Sequence, residues 1–239
     1  MKIRVIDFES TGLPDKDPDV RLVEIGMTDL HDNWRVSRTT HALVNPGIPM
    51  PAEARGVHHL SDQDVEGGLS QAEARELLLF GMEPGDMFAA HNYKMESALF
   101  DAGPFPWICT MICAKHLWPA APGFANQTLR YHLGIDSEFE WPDLAMPPHR
   151  AGPDSYVTAH ILSRLVFAAS PTKLVELTRT PILLKYVESG KYEGRLWSEM
   201  DRGYLEFILN PTKGPFKQEV LDTARYWLDQ LNKAGNPFS

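Results

Sequence analysis

The sequence predicts an α/β domain built on a mixed sheet, followed by a small C-terminal appendage. Three observations carry this. The first 44 residues read as three strands separated by turns; helical periodicities then alternate with a short apolar run; and the character of the chain changes near Ser170-Pro171. The 239 residues allow one large domain, or a domain of about 170 residues with a small partner. The expected division is 1–170 and 171–239.

The strands are expected at 2–8, 20–29 and 34–44. Ile3-Arg4-Val5-Ile6 opens the first, and Val20 to Leu30 mixes β-branched and apolar residues without helical spacing. Asn45 to Pro51 holds three prolines and reads as a loop. Ser70-Gln71-Ala72-Glu73 is a capping box, opening a helix to about Met82. Pro84-Gly85 follows it, and Met87-Phe88-Ala89-Ala90-His91 reads as a buried strand. Helices are expected at 93–101, 110–118 and 126–133, and a proline-rich loop at 142–153. Val157, Ile161, Leu162, Leu165 and Val166 then keep helical spacing over 154–167. The appendage holds a turn at Ser189-Gly190-Lys191, an apolar run Tyr204–Leu209 and an amphipathic helix at 216–233.

Composition narrows the function. Apolar residues make up 43%, enough for a core and too many for disorder. No window has 18 consecutive apolar residues, so no membrane span is expected. A strand at the very start leaves no room for a signal-peptide apolar region. The two cysteines, Cys109 and Cys113, lack the partners of a zinc site and read as buried thiols of a cytoplasmic chain. By itself the net charge of −9 argues against nucleic acid, which wants a basic surface. The acid excess sits in residues 1–170, at −10, while 171–239 carries +1. Mg²⁺ held by several of those acids would neutralise part of it.

Asp7-Phe8-Glu9-Ser10-Thr11-Gly12 closes the first strand. Carboxylates two apart on a strand share one face, and two like charges so close are costly without a cation between them. Asp7-x-Glu9 therefore reads as half of a divalent-metal site. Two further groups could complete it. His91-Asn92-Tyr93-Lys94-Met95-Glu96 follows a buried strand and places Glu96 early in a helix. His149-Arg150-Ala151-Gly152-Pro153-Asp154 opens the last core helix, with Pro153 suited to its first position. Five helical residues turn about 500°, so His149 and Asp154 share a face only if His149 stays on the loop.

Taken in order, these three groups resemble the motifs of the DnaQ-like 3′–5′ exonucleases of the DEDDh class, with His149 five before the last Asp. The likeness runs on through Pro46–Pro51, Gly56–Ser61, Trp107–Met111, Leu117–Pro119 and, in the appendage, Gly190–Arg195 and Gly203–Leu205. It implies an RNase H-like fold with a central mixed five-stranded sheet flanked by helices. It also implies a metal-dependent exonuclease acting on DNA 3′ ends, single-stranded or duplex, in DNA repair or degradation.

Two Mg²⁺, replaceable by Mn²⁺, would be its cofactors. Asp7 would bridge them, Glu9 and Asp154 would complete the nucleophile-side ion, and Glu96 would support the other. His149 would be the general base, a role that a neutral imidazole suits near pH 7. Thr11 and Gly12 would offer backbone donors to the terminal nucleotide, Leu13 would wedge its base, and His58 and Asn92 would line the site. Glu96 stands where the family normally has Asp. Asp101 is about 140° around the helix and is not the substitute. Two alternatives stay open here: an exoribonuclease, since no motif reads a 2′-hydroxyl, and a catalytically weak nucleic-acid-binding module, because of Glu96. Lys185, Tyr186, Lys191, Tyr192 and Arg195 interleave cations and aromatics, either as a DNA-contacting surface or as a solvated hairpin face.

Overall fold

A computed structural model describes residues 1–234. The chain divides into two compact units, Met1–Thr178 and a second beginning at Arg179. The first is organised by β1 (Ile3–Ser10), which runs antiparallel to β2 (Leu22–Leu30) on one side and parallel to β4 (Met87–Ala90) on the other. β3 (Thr40–Leu43) and β5 (Trp107–Cys109) are the edges, giving the order β3-β2-β1-β4-β5. The mixed five-stranded sheet is thus present.

Alternation along β1 sorts its side chains into two layers. Ile3 and Val5 join a core with Ala89, Ile108 and the apolar face of α7 (Ala151–Ala168). Ile6 and Phe8 join the opposite core, with Phe88, Phe100 and α3 (Gln71–Leu79). Asp7 and Glu9 continue the row of Ile3 and Val5, so the apolar row that packs under α7 turns acidic at the strand's end. β2 follows suit. Thr28 touches Ser155 through their hydroxyls at 3.0 Å, Gly26 lies opposite Asp7, and Glu24 lies opposite Glu9.

Several boundaries move for local reasons. The expected strand 34–44 shrinks to Thr40–Leu43, because Trp34 takes a left-handed backbone (φ 61°) in a turn closed by its N–H on the His31 carbonyl. Val36 keeps only an isolated bridge to Leu30. The helix expected from 154 begins at Ala151, with Pro153 inside its first turn, where no donor is needed. The Ser70 capping box is present, but α3 stops at Leu79, ahead of left-handed Gly81. The short helices α1 (Ala52–His58) and α2 (Asp62–Val65) carry too few residues to show a period. α4 (Tyr93–Leu99), α5 (Thr110–Leu117) and α6 (Asn126–Leu133) lie where helices are expected.

α8 (Pro171–Arg179), on the appendage side of the expected boundary, packs on the first unit. Thr178 accepts the Cys109 backbone N–H at 2.8 Å, and Cys113 donates to the Leu174 carbonyl. Both thiols are buried, and burial pushes the Cys113 pKa up to about 12. The second unit has its own small core of Val187, Trp197, Leu205, Ile208 and Ala224, built by α9 (Arg202–Leu209) and α10 (Gln218–Ala234). Among the described residues, no helix is long and apolar enough to cross a membrane.

Candidate active site

The carboxyl ends of β1 and β4 meet the first turns of α4 and α7, and four of the expected acids gather there. Carboxylate oxygens of Asp7, Glu9 and Asp154 lie within 4.8 Å of one another. Glu96 is outside that triplet, yet it is the neighbouring charge that acts most strongly on Asp7. It sits in the first turn of α4, 4% exposed, and its Oε2 is buried without a hydrogen-bond partner. Asp101 is exposed and pairs with Arg75, so it takes no part.

The electrostatics follow from this crowding. Burial first, and then Glu96, Asp154, Glu9 and Glu24, raise the Asp7 pKa well above the ordinary carboxylate range. Burial, with Asp154 and Glu24, lifts Glu9 to about 8. Burial lifts Glu96 to about 8 as well. Burial also raises Asp154, against the pull of a His149 N–H and Gln127. A buried oxygen with no donor, among four mutually repelling carboxyls, suits a cation, and an all-oxygen donor set suits hard divalent ions. The residues present therefore fit a magnesium-type site.

His149 lies on the loop before α7, exposed, with a left-handed backbone (φ 60°). Its backbone N–H donates to Asp154 Oδ2 at 2.8 Å. The histidine is thus tied to the acid through its main chain, with its side chain exposed.

Two residues important to this geometry escaped the sequence reading. Glu24, fully buried on β2, takes a two-pronged hydrogen bond from Arg150 at 2.7 and 2.8 Å and also accepts the Ala151 N–H. It caps the start of α7 and pins Arg150 beside Glu9. The available signal was a single charge inside the apolar run Leu22–Met27. Gln127 is the other: its Nε2 donates to Asp154 Oδ1 at 3.2 Å.

The substrate-side residues are less uniform. Thr11 does not keep the free donor expected of it. Its N–H goes to the Arg21 carbonyl and its hydroxyl accepts the Arg21 N–H, so it holds the turn closed. Ser10 braces the same turn by donating to the Gly12 carbonyl. Leu13 is 45% exposed beside it. Asn92 is exposed at the N-cap of α4, with no side-chain capping bond. His58 is buried, accepts the Leu60 N–H on Nδ1, and leaves Nε2 without a partner.

A model of an exonuclease family, RNase T, matches residues 5–162. The chain belongs to that exonuclease family. It is 28% identical over 217 residues to Exodeoxyribonuclease 10 of Escherichia coli strain K12, spanning 87% of this chain and 90% of that protein. Its fold matches Exonuclease X in complex with 5′-overhanging duplex DNA at a TM-score of 0.60 and 26% identity, over 74% of this chain and 99% of that one. It also matches the nuclease domain of 3′hExo, a DEDDh family member bound to rAMP, at a TM-score of 0.54 and 17% identity, over 70% of this chain and 92% of that one. The matched residues include Asp7, Glu9, Glu96 and Asp154.

The raised carboxyls have a measurable consequence. Glu9 and Glu96 keep their protons in the folded chain up to about pH 8 but lose them near 4.5 when unfolded. Folding therefore binds protons, and stability falls as pH rises. His91 and His160, whose pKa values burial pushes to about 4, act oppositely, but only below pH ~6.5. Between pH 6.5 and 8 the carboxyls act alone. In chelator, the melting temperature should drop by ~5–10 °C across that window. Excess Mg²⁺ should remove the drop, and a flat profile in chelator would show that burial does not raise Glu9 and Glu96 as described.

Proposed function

We propose that the chain is a metal-dependent 3′–5′ exodeoxyribonuclease that hydrolyses phosphodiester bonds at DNA 3′ ends, using two divalent cations. The observation that carries this reading is the convergence of Asp7, Glu9, Asp154 and Glu96, with the unpartnered Oε2 of Glu96 among them. Its DNA substrate draws support from Exodeoxyribonuclease 10 and from Exonuclease X, which binds duplex DNA.

Asp7, Glu9 and Asp154 would hold one ion, and Asp7 with Glu96 the other. Cations bound there would polarise the phosphate and lower the pKa of the attacking water. The chain's own residues supply the rest. Arg150 and Glu24 fix the start of α7, so Asp154 faces Asp7 across the row that β1 presents. His149 would take the proton from the attacking water, its exposed side chain carried on the loop whose backbone Asp154 anchors. Gly12 offers its backbone to the terminal nucleotide, and Leu13 presents an exposed apolar edge on which a base can stack. Asn92 offers an exposed polar side chain to the substrate, and His58 a buried imidazole whose Nε2 has no partner.

The test is a DNA oligonucleotide labelled at its 5′ end, incubated with Mg²⁺. A ladder shortening from the 3′ end, absent in chelator, is expected, with an RNA of the same sequence degraded at least ~10-fold more slowly. Degradation from the 5′ end, or a preference for RNA, would overturn the assignment.

Position 96 is tested separately. Glu96→Gln should lower kcat by ~10²-fold or more, because a neutral amide neither matches the cation's charge nor replaces a hard oxygen anion. Glu96→Asp keeps the charge and should stay within ~10-fold of the natural chain. If the natural chain is inert and Glu96→Asp awakens it, the protein is a weak nucleic-acid-binding module instead.

A further inference from the structure

Asp154 is held from outside the acidic cluster by a chain of side chains that ends in a buried arginine. Its Oδ2 accepts the His149 N–H at 2.8 Å, and its Oδ1 accepts Gln127 Nε2 at 3.2 Å. Gln127 Oε1 in turn accepts Arg130 Nη1 at 3.1 Å. Arg130 is only 7% exposed, and its position is fixed on several sides. Nε donates to Asp136 at 2.7 Å, Nη1 donates to the Ala145 carbonyl at 3.0 Å, and the guanidinium lies 5.2 Å from the Phe139 ring centre.

The chemistry of the groups sets the direction of this chain. A guanidinium has donors only, so the Gln127 atom facing it must be the carbonyl oxygen. The amide NH₂ is then forced toward Asp154, and a flipped amide would set donor against donor at one end and acceptor against carboxylate at the other. Asn126 Oδ1 accepts from the same NH₂ at 3.3 Å. Asn126 also ties α6 to α7 through Thr158 Oγ1, at 2.6 Å, and the Asp154 carbonyl, at 3.3 Å. Gln127 and Arg130 stand three apart on α6, one turn and one face.

We infer that Gln127, oriented by Arg130, is a positioning residue for Asp154. Each Asp154 oxygen accepts one of these donors, which leaves its remaining lone pairs for a cation shared with Asp7 and Glu9. The inference deepens the metal-dependent reading above and rests on it. It concerns a residue outside the four acids and the histidine, and it gives a second task to a buried arginine that also holds Asp136 and the Ala145 carbonyl.

Gln127→Leu removes the donor at similar volume. Gln127→Glu keeps a partner for Arg130 but puts a second carboxylate against Asp154. Each variant and the natural chain are titrated with Mn²⁺ by calorimetry at pH 7.5, with the melting temperature in chelator and kcat and KM for an oligonucleotide measured alongside. Gln127→Leu should weaken Mn²⁺ binding ~10-fold, with KM unchanged and the melting temperature in chelator within ~2 °C of the natural chain. Gln127→Glu should weaken it further.

If Gln127 served only to anchor Arg130, Gln127→Glu would bind Mn²⁺ like the natural chain, and that result overturns the inference. So does natural Mn²⁺ affinity in Gln127→Leu. A natural chain that degrades DNA while both variants match it would sink the positioning role and leave the nuclease reading standing. A natural chain that binds no Mn²⁺ would sink the nuclease reading, and the positioning role with it.

Discussion

Asp7→Asn should lower the rate of DNA hydrolysis by at least ~10³-fold while leaving the fold as stable as before, or more so, in metal-free buffer. Both halves of that result come from one cause. Asp7 sits where the repulsion converges, with burial and four other carboxyls all raising its pKa. Asparagine keeps its size and shape but abolishes the charge, so the repulsion is relieved. In chelator the variant should melt at the same temperature as the natural chain or a few degrees higher, and its fall in stability between pH 6.5 and 8 should be shallower. With Mg²⁺ the order should reverse, because a cation stabilises a chain in proportion to how well the folded site holds it. The rate loss corresponds to about 4 kcal/mol of barrier. Activity within tenfold of the natural rate would end the two-cation reading.

Gly26→Ala should cost more than ~3 kcal/mol in stability and most of the activity with it. A Cβ on Gly26 would lie 1.9 Å from the Ala151 carbonyl oxygen and 2.6 Å from the Gly152 nitrogen, both main-chain atoms of the first turn of α7. That turn cannot give locally. Its N–H at Ala151 and the Arg150 side chain are both bound to Glu24 on the same strand. The helix must lift or β2 must bend, and either breaks contacts in the larger core. Gly26 pairs with Asp7 across the sheet, so lifting α7 also carries Asp154 away from Asp7. The variant should melt at least ~10 °C lower, and any folded fraction should need more Mn²⁺ to reach half-saturation. Gly56→Ala is the control. Nothing lies within 4 Å of its Cβ, and it sits in α1, so it should be neutral or slightly stabilising. Equal behaviour of the two would mean that α7 does not depend on this close approach.

The sequence disclosed those parts of the site that are local. Asp7-x-Glu9 is legible because a strand puts alternate residues on one face, and His149 with Asp154 because Pro153 marks where a helix begins. Four of the five strands were legible, the third of them expected too long, and only β5 was not. Trp107–Cys109 is three residues long, too short for any period, and Trp34 breaks the third strand by a backbone conformation that its residue type does not advertise. What stayed hidden is tertiary. Glu24 meets Arg150 across 126 positions, and Gln127 meets Asp154 across 27. Gly26 reads as an ordinary weak strand residue until the helix that needs its missing side chain is known. Thr11 went the other way. Its type suited a free donor in a turn, but the turn uses that donor itself.

The alternation along β1 reaches beyond the chemistry. Slide that strand by one residue and every side chain changes layer. Asp7 and Glu9 would then face Phe88 and Phe100, and Phe8 would face Asp154. A pairing error at the centre of the sheet is thus an error in the acids too, and any ion they hold is available only to a chain that has paired correctly. Newly made protein in the presence of that ion would be sorted by its own active site, with mispaired sheets left unrewarded and free to open and try again.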